Sequence, residues 1–326
     1  MHPIMKICYL PPAIAALSAA LVCSFALAQS WPTKPVRIVV PAPAGSSLDF
    51  VARVLGEKLG AKWGQPVVVD PKAGAGGVIG VDIAAKSTDN HTIVIGFPGP
   101  TAYGPFLYKK MPYDVVKDLV PIVITTTQPN VLAVNAALPI KSVAELVAYG
   151  KANPGKLSYA SVGNGSSSHL AMELFKSEAG FEAQHIPFNG SPPAALSTAN
   201  GDTQLLFAVA SGIAPFVQNG RVRQIAVTSA GRFEPLKELP AISESVKGFE
   251  AVAWNGLFGP STMPADVVAK INADVNAVLA DPAIRERLVL AGMSPGGGTS
   301  AAFRALLDTD MKKWGGIIKR LGIQLD

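Results

Sequence analysis

The chain has 326 residues, enough for about two domains at the usual ~100–200 residues each. Apolar residues make up 49% and charged ones 16%, so a sizeable core is expected and global disorder is excluded. The net charge of +5 comes from scattered Lys and Arg, with no run longer than Lys109-Lys110 or Lys312-Lys313. No basic stripe forms, and no nucleic-acid partner is expected.

Residues 1–28 read as a cleavable signal peptide. Lys6 supplies the positive start, Ala13 to Leu27 the apolar stretch, and Ala26-Leu27-Ala28 the small-residue cleavage site. The apolar stretch is too short to span a bilayer. Lipidation at Cys23 is disfavoured by the bulky Val22 before it. Cys8 and Cys23 both fall in this leader. The mature chain, starting near Gln29, therefore has no disulfide, thiolate nucleophile or Cys-ligated zinc. A secreted protein held together by its core alone points to a bacterial periplasm.

From Pro35 onward strands and helices alternate. Val36 to Val40 is a short β-rich run. It ends in the loop Pro41 to Ser47 and leads into a helix with Val51, Val54, Leu55 and Leu59 on one face. Pro66 to Asp70 is a second strand, followed by the turn Gly74-Ala75-Gly76-Gly77 and a short helix to Lys86. Thr92 to Phe97 is a third strand. This is an α/β pattern with a mainly parallel sheet.

A second such run begins near Thr127. Val131 to Val134 is strand-like, and Ser142 with Glu145 makes a capping box. Leu157 to Ala160 leads through the loop Ser161 to Ser168 into a helix. Further strands are expected at 184–187, 204–207 and 222–228. The C-terminal third reads as helices without strands of their own, packed back on the first domain. The expected division is thus 29–126 with 254–326 as domain 1 and 127–253 as domain 2.

Catalytic and cofactor signatures are missing. His91, His169 and His185 have no metal-ligand spacing, and no H-E-x-x-H, G-x-S-x-G or Walker A sequence occurs. The glycines from Gly74 to Gly80 lack the rest of a dinucleotide fingerprint. Ser168 and His169, adjacent at a helix start, point in different directions and make no dyad. No cofactor is expected.

Two loops carry a physical signal. Ala42 to Ser47 and Ser161 to Ser168 each follow a strand, are rich in small residues and run into a helix. A helix start has amides without intrahelical partners and a partial positive charge, so a carboxylate can bind there without Arg or Lys. The same loops also read as ordinary turns and N-caps. Asp49 falls in a first helical turn, in an orienting or capping role, and His169 sits similarly. Phe97 to Tyr103 could wall a cleft, with Thr101 as a donor, and Phe188 to Ser191 could edge it.

Taken in order, these motifs resemble the periplasmic solute-binding receptors of the tripartite tricarboxylate transporters, also called Bug-type receptors. The resemblance rests on the opening Trp31 to Pro41, on Asp49 with Ala52-Arg53, and on Gly64 to Val69 with Gly74 to Gly77. It continues through Ser161, Gly163, Gly165, Ser166, His169 and Leu170. Ala226 to Ser229, Arg232, Leu239-Pro240 and Lys313-Trp314 complete it.

The resemblance implies a two-domain periplasmic binding protein, each domain a mainly parallel α/β sheet, with a hinge and an interdomain cleft. It implies a small organic carboxylate as ligand, a membrane permease as partner, and no catalysis. A secreted enzyme of unrecognised type is the rival reading, and a monomer is expected. The ligand-binding set it implies is Ala42, Ala44, Gly45, Ser46, Thr101, Ser161, Gly163, Asn164, Gly165 and Ser166. Asp49, His169 and Asn189 stand behind them as orienting residues.

Where the family has an aromatic residue and Pro-Pro-Gly-Gly, this chain has Ala42-Pro43-Ala44-Gly45-Ser46. Asn189 replaces a common Lys, and acidic residues are missing around Ala208 to Ser211. A wider, less acidic pocket, suited to an aromatic or aliphatic di-acid, is the expectation.

Overall fold

A computed structural model describes residues 31–325; the expected signal peptide lies outside them. The chain opens with β1 (Val36–Val40), α1 (Ser47–Trp63), β2 (Val67–Pro71), α2 (Val78–Ala85) and β3 (Thr92–Gly96). Four of the five β1 residues have no exposed surface. That fits a strand buried on both faces, which reads as a continuous apolar run. Helix α1 buries Val51, Val54, Leu55 and Leu59, the face set by its period. It ends on Gly64 in the left-handed region (φ 63°).

Then follow β4 (Leu119–Pro129), β5 (Val131–Asn135), α3 (Val143–Ala152), β6 (Ser158–Ser161), α4 (Ser167–Ala179), β7 (Gln184–Pro187) and α5 (Ser191–Asn200). The chain continues with β8 (Leu205–Ala208), α6 (Ala210–Gln218), β9 (Val222–Val227) and β10 (Val252–Pro260). It closes with α7 (Ala265–Ala280), α8 (Pro282–Leu290), β11 (Ser294–Gly297) and α9 (Ser300–Leu321).

Two sheets result, ordered β11-β4-β10-β3-β1-β2 and β7-β6-β8-β5-β9. Both are mixed. The β2-β1-β3 and β7-β6-β8 portions are parallel, as their helical crossovers require. The remaining pairs are antiparallel. The reason lies in the long strands β4 and β10, which local sequence pattern does not mark. The chain leaves the first sheet at the end of β4 and returns at the start of β10. Adjacent strands that carry an exit and a return must run in opposite directions. The C-terminal third also adds β11 to the edge of the first sheet, where only helices were expected. Its Ser-Pro-Gly-Gly sequence has no strand signal.

The two sheets join at a compact hydrogen-bond node. The Asn130 amide donates to Thr228 Oγ1 at 2.8 Å, and the Thr228 amide donates to the Asn130 carbonyl at 2.9 Å. Thr228 Oγ1 in turn donates to the Ala251 carbonyl at 2.6 Å, and the Ala251 amide returns a bond to the Thr228 carbonyl. Thr228 is fully buried. Thr228→Val should leave the Asn130 amide and the Ala251 carbonyl without partners and cost about 2–4 kcal/mol. A urea unfolding midpoint within error of the unsubstituted protein would contradict this.

Candidate functional site

A cavity of about 610 Å³ opens at the carboxyl ends of the parallel strands of both sheets. In open α/β sheets this is the edge where ligands bind. Loop one, after β1, contributes Pro41 to Pro43 and Ser46 to Leu48. The turn before α2 contributes Gly74 to Gly77, and the end of β3 contributes Phe97 and Pro98. From the second sheet come Val162 to Asn164, Ser166, Ser167, Pro187 to Ser191, Ala208 and Val209. Gln128, Asn130, Ala253, Trp254 and Asn255 form the floor where the sheets join. Gln324 and Leu325 close one side, the latter tied by its amide to the Leu107 carbonyl at 2.8 Å.

Among the described residues, no Asp, Glu, Lys, Arg or His lines this cavity. Its polarity comes from hydroxyls, side-chain amides and backbone groups. Helices α1, α4, α5 and α6 all begin at it, through Ser46, Ser166, Gly190 and Val209 as N-caps. The wall therefore carries partial positive charge without a cation.

Loops one and two repeat one local design. In Gly45-Ser46-Ser47-Leu48-Asp49, Ser46 Oγ accepts from the Asp49 amide at 3.3 Å, and Asp49 Oδ2 accepts from the Gly45 amide at 3.0 Å. In Gly165-Ser166-Ser167-Ser168-His169, Ser166 Oγ accepts from the His169 amide at 3.3 Å, and His169 Nδ1 accepts from the Gly165 amide at 3.1 Å. Gly45 (φ 79°) and Gly165 (φ 70°) make the turns that require a left-handed residue.

The caps thus use the amides of Gly45, Asp49, Gly165 and His169. They leave those of Ser47, Leu48, Ser167 and Ser168, the first two helical positions, without a protein acceptor. Ser46 (φ −70°, ψ 165°) and Ser166 (φ −72°, ψ 163°) have nearly the same backbone.

The lips of the cavity touch. A methyl group on Gly76 would sit 2.6 Å from the Asn164 carbonyl oxygen, and one on Gly190 would sit 2.9 Å from Pro43 Cδ. Only glycine admits this approach.

Of the residues expected at the site, Ala42, Ser46, Gly163, Asn164, Ser166 and Asn189 line the cavity. Ala44 and Gly45 lie on the exposed rim. Thr101 is fully buried and donates to the Phe97 carbonyl at 2.6 Å, so it holds its own turn and does not face the cavity. Ser161 is buried beneath loop two, bonded to His185 Nε2 at 2.6 Å and accepting from the Gly163 amide at 3.2 Å. Gly165 packs against Leu107 and Leu325. Asp49 and His169 stand behind the loops as anchors, Asp49 also accepting from Arg53 Nε at 2.9 Å.

Sequence reasoning missed Gln128, Asn130, Trp254, Gln324 and Leu325. Nothing in the local pattern marks them. Trp254 is fixed from outside the cavity, its Nε1 donating to Asp310 Oδ2 at 2.6 Å.

Behind loop two, His169 and His185 stack at 4.0 Å with planes 9° apart. Burial, assisted by Lys176, pushes His169 down to about 4. Burial, together with His169 and Lys176 and against Glu173, pushes His185 down to about 3. Both rings are neutral at pH 7, which His169 Nδ1 needs to be as an acceptor.

Residues 51–323 match the family described as "Tripartite tricarboxylate transporter family receptor". The chain is similar to R. palustris Rpa4515, solved with adipate: 34% identity, TM-score 0.87, covering 90% of this chain and 99% of that one. It is similar to the periplasmic binding protein BugD at 31% identity and TM-score 0.84, over 90% and 99% of the two chains. MatC from Rhodopseudomonas palustris, solved with bound malate, is 26% identical at TM-score 0.83, over 88% and 100%.

The histidine pair makes stability depend on pH. An unfolded His binds its proton near pH 6.5, whereas these two stay neutral down to about 4 and about 3. Below 6.5 the unfolded chain therefore holds more protons, and stability falls as pH falls. The urea midpoint should drop between pH 7 and pH 5. His169→Asn, which keeps an acceptor near the Gly165 amide but does not titrate, should flatten part of that slope. An unchanged slope in this variant would contradict the assignment.

Proposed function

Since the chain belongs to the tripartite tricarboxylate transporter receptor family, we propose that it captures a small organic carboxylate in the cavity between its two sheets. It would then hand the ligand to a membrane permease of that transporter type. Members of this family are binding receptors and not enzymes. The observation that carries the ligand class is a cavity lined, among the described residues, by no Asp, Glu, Lys, Arg or His, with the unpaired helix-start amides of Ser47, Leu48 and Ser167 at its wall. An ammonium group would find no carboxylate there, whereas an anion finds donors already in place.

The energies suffice. Each helix start contributes about 0.3–1 kcal/mol, up to ~2 when partly buried. Each charge-assisted hydrogen bond adds about 1.5–3 kcal/mol. Micromolar binding needs about 8 kcal/mol net.

Loops one and two lie on different sheets, so each can hold one end of a di-acid. Adipate and malate, bound by the similar proteins above, are both of that class. In this reading 29–126 with 254–326, and 127–253, move as two domains about the Asn130–Thr228 node. The protein works in the periplasm after loss of residues 1–28.

Proline tests the amides directly. It has no N–H, is favoured at the first helical position, and needs an extended residue before it. Ser46 and Ser166 already meet that need. Ser47→Pro and Ser167→Pro should each raise the Kd for a carboxylate about 10- to 100-fold, the loss of one charge-assisted bond. Ser47→Ala and Ser167→Ala, which keep the amide, should change it far less. Thermal denaturation against mono-, di- and tricarboxylates reads the effect. A melting temperature raised by no acid would contradict the ligand class. Raised equally in the proline variants, it would contradict the amide site.

A further inference from the structure

Two side chains on the cavity floor have work that the loops leave undone. Gln128, near the end of β4, and Asn130, just past it, are each only 2% exposed and both line the cavity. Neither makes a side-chain hydrogen bond to the protein: Gln128 Oε1 and Asn130 Nδ2 are buried without partners. They lie two residues apart in an extended segment, so they project from the same face. A buried amide without partners costs about 1–3 kcal/mol. Elsewhere on this floor the polar groups are paired, as in Asn255 Nδ2 donating to Thr126 Oγ1 at 2.9 Å.

The position is rigid. Gln128 sits opposite Ala253 in the β4–β10 ladder, and the Asn130 backbone is held at both its amide and carbonyl by Thr228. The backbone at both residues is therefore held at the cavity floor. Both are neutral. Together they offer N–H donors and carbonyl acceptors whichever way each amide is turned. A carboxylate uses acceptors only and would waste half of such a set. A hydroxyl donates one bond and accepts another.

We propose that Gln128 and Asn130 form a specificity subsite for a hydroxyl group on the bound acid, making hydroxy acids the preferred ligands. The subsite rests on the carboxylate reading above: the loops hold the acid group and the floor reads the substituent. Because Asn130 is also the residue at which the chain changes sheets, this contact reports the substituent to the point about which the two halves would close.

The test compares acids that differ by one hydroxyl: malate with succinate, and 2-hydroxyglutarate with glutarate, by titration calorimetry. The unsubstituted protein should bind the hydroxylated member of a pair about 10-fold or more tightly, the worth of one or two satisfied buried bonds. Gln128→Met and Asn130→Leu, close in volume but apolar, should each bring that ratio toward one. No preference in the unsubstituted protein overturns the subsite, and this outcome needs no variant to fold. A preference that survives both substitutions overturns it as well. Binding of none of the four acids overturns the subsite and the carboxylate reading together, whereas binding without discrimination overturns the subsite alone.

Discussion

Backbone amides at helix starts, left without an acceptor in a wall whose described residues include no Asp, Glu, Lys, Arg or His, are the constraint on which the rest of this structure depends. An amide at the first or second helical position has no partner inside the helix. In most proteins water takes the bond. Here loops one and two place Ser47, Leu48 and Ser167 at one cavity, and helices α5 and α6 begin there too. The partial charges are fixed by covalent geometry, so little reorganisation is needed when an anion arrives. A lysine or arginine would add charge, but also side-chain entropy to lose on binding.

The repeated Gly-Ser-Ser segment shows how the chain keeps those amides free and aimed. The serine hydroxyl takes the third helical amide, and the residue there turns back to take the glycine amide. Each loop is thereby closed on itself and needs nothing from the ligand to hold its form. The two anchors differ chemically. Asp49 accepts through a carboxylate, with Arg53 beside it. His169 accepts through a ring kept neutral by burial and by Lys176, with a second histidine stacked on it. Loop one thus has a charged support and loop two an uncharged one, and acid bears on the two differently.

Much of this was legible in the sequence because it is local. The β1, α1 and loop-one succession, the strand at Gln184–Pro187 and the capping role of Asp49 follow from short-range pattern alone. The floor was not legible, because it is made by tertiary pairing. Strand β4 contains Pro121 and Pro129, and β10 contains Gly256, Gly259 and Pro260, residues that argue against a central strand. They are tolerated for long-range reasons. Gly256, for one, lies where a methyl group would be 2.2 Å from Phe303 of α9. Gln128 and Asn130 are invisible to pattern reading for the same cause. Thr101 marks the opposite limit: a hydroxyl beside a cleft in sequence, consumed by its own turn in space.

The most direct test of the central claim is an amide ¹H–¹⁵N titration of the protein with adipate. If the free helix-start amides are the anion site, the proton signals of Ser47, Leu48 and Ser167 move downfield as they gain a charged acceptor. Those of Gly45 and Gly165, already bonded to Asp49 and His169, stay near their starting positions. Saturation by the acid with those three signals unmoved would contradict the account.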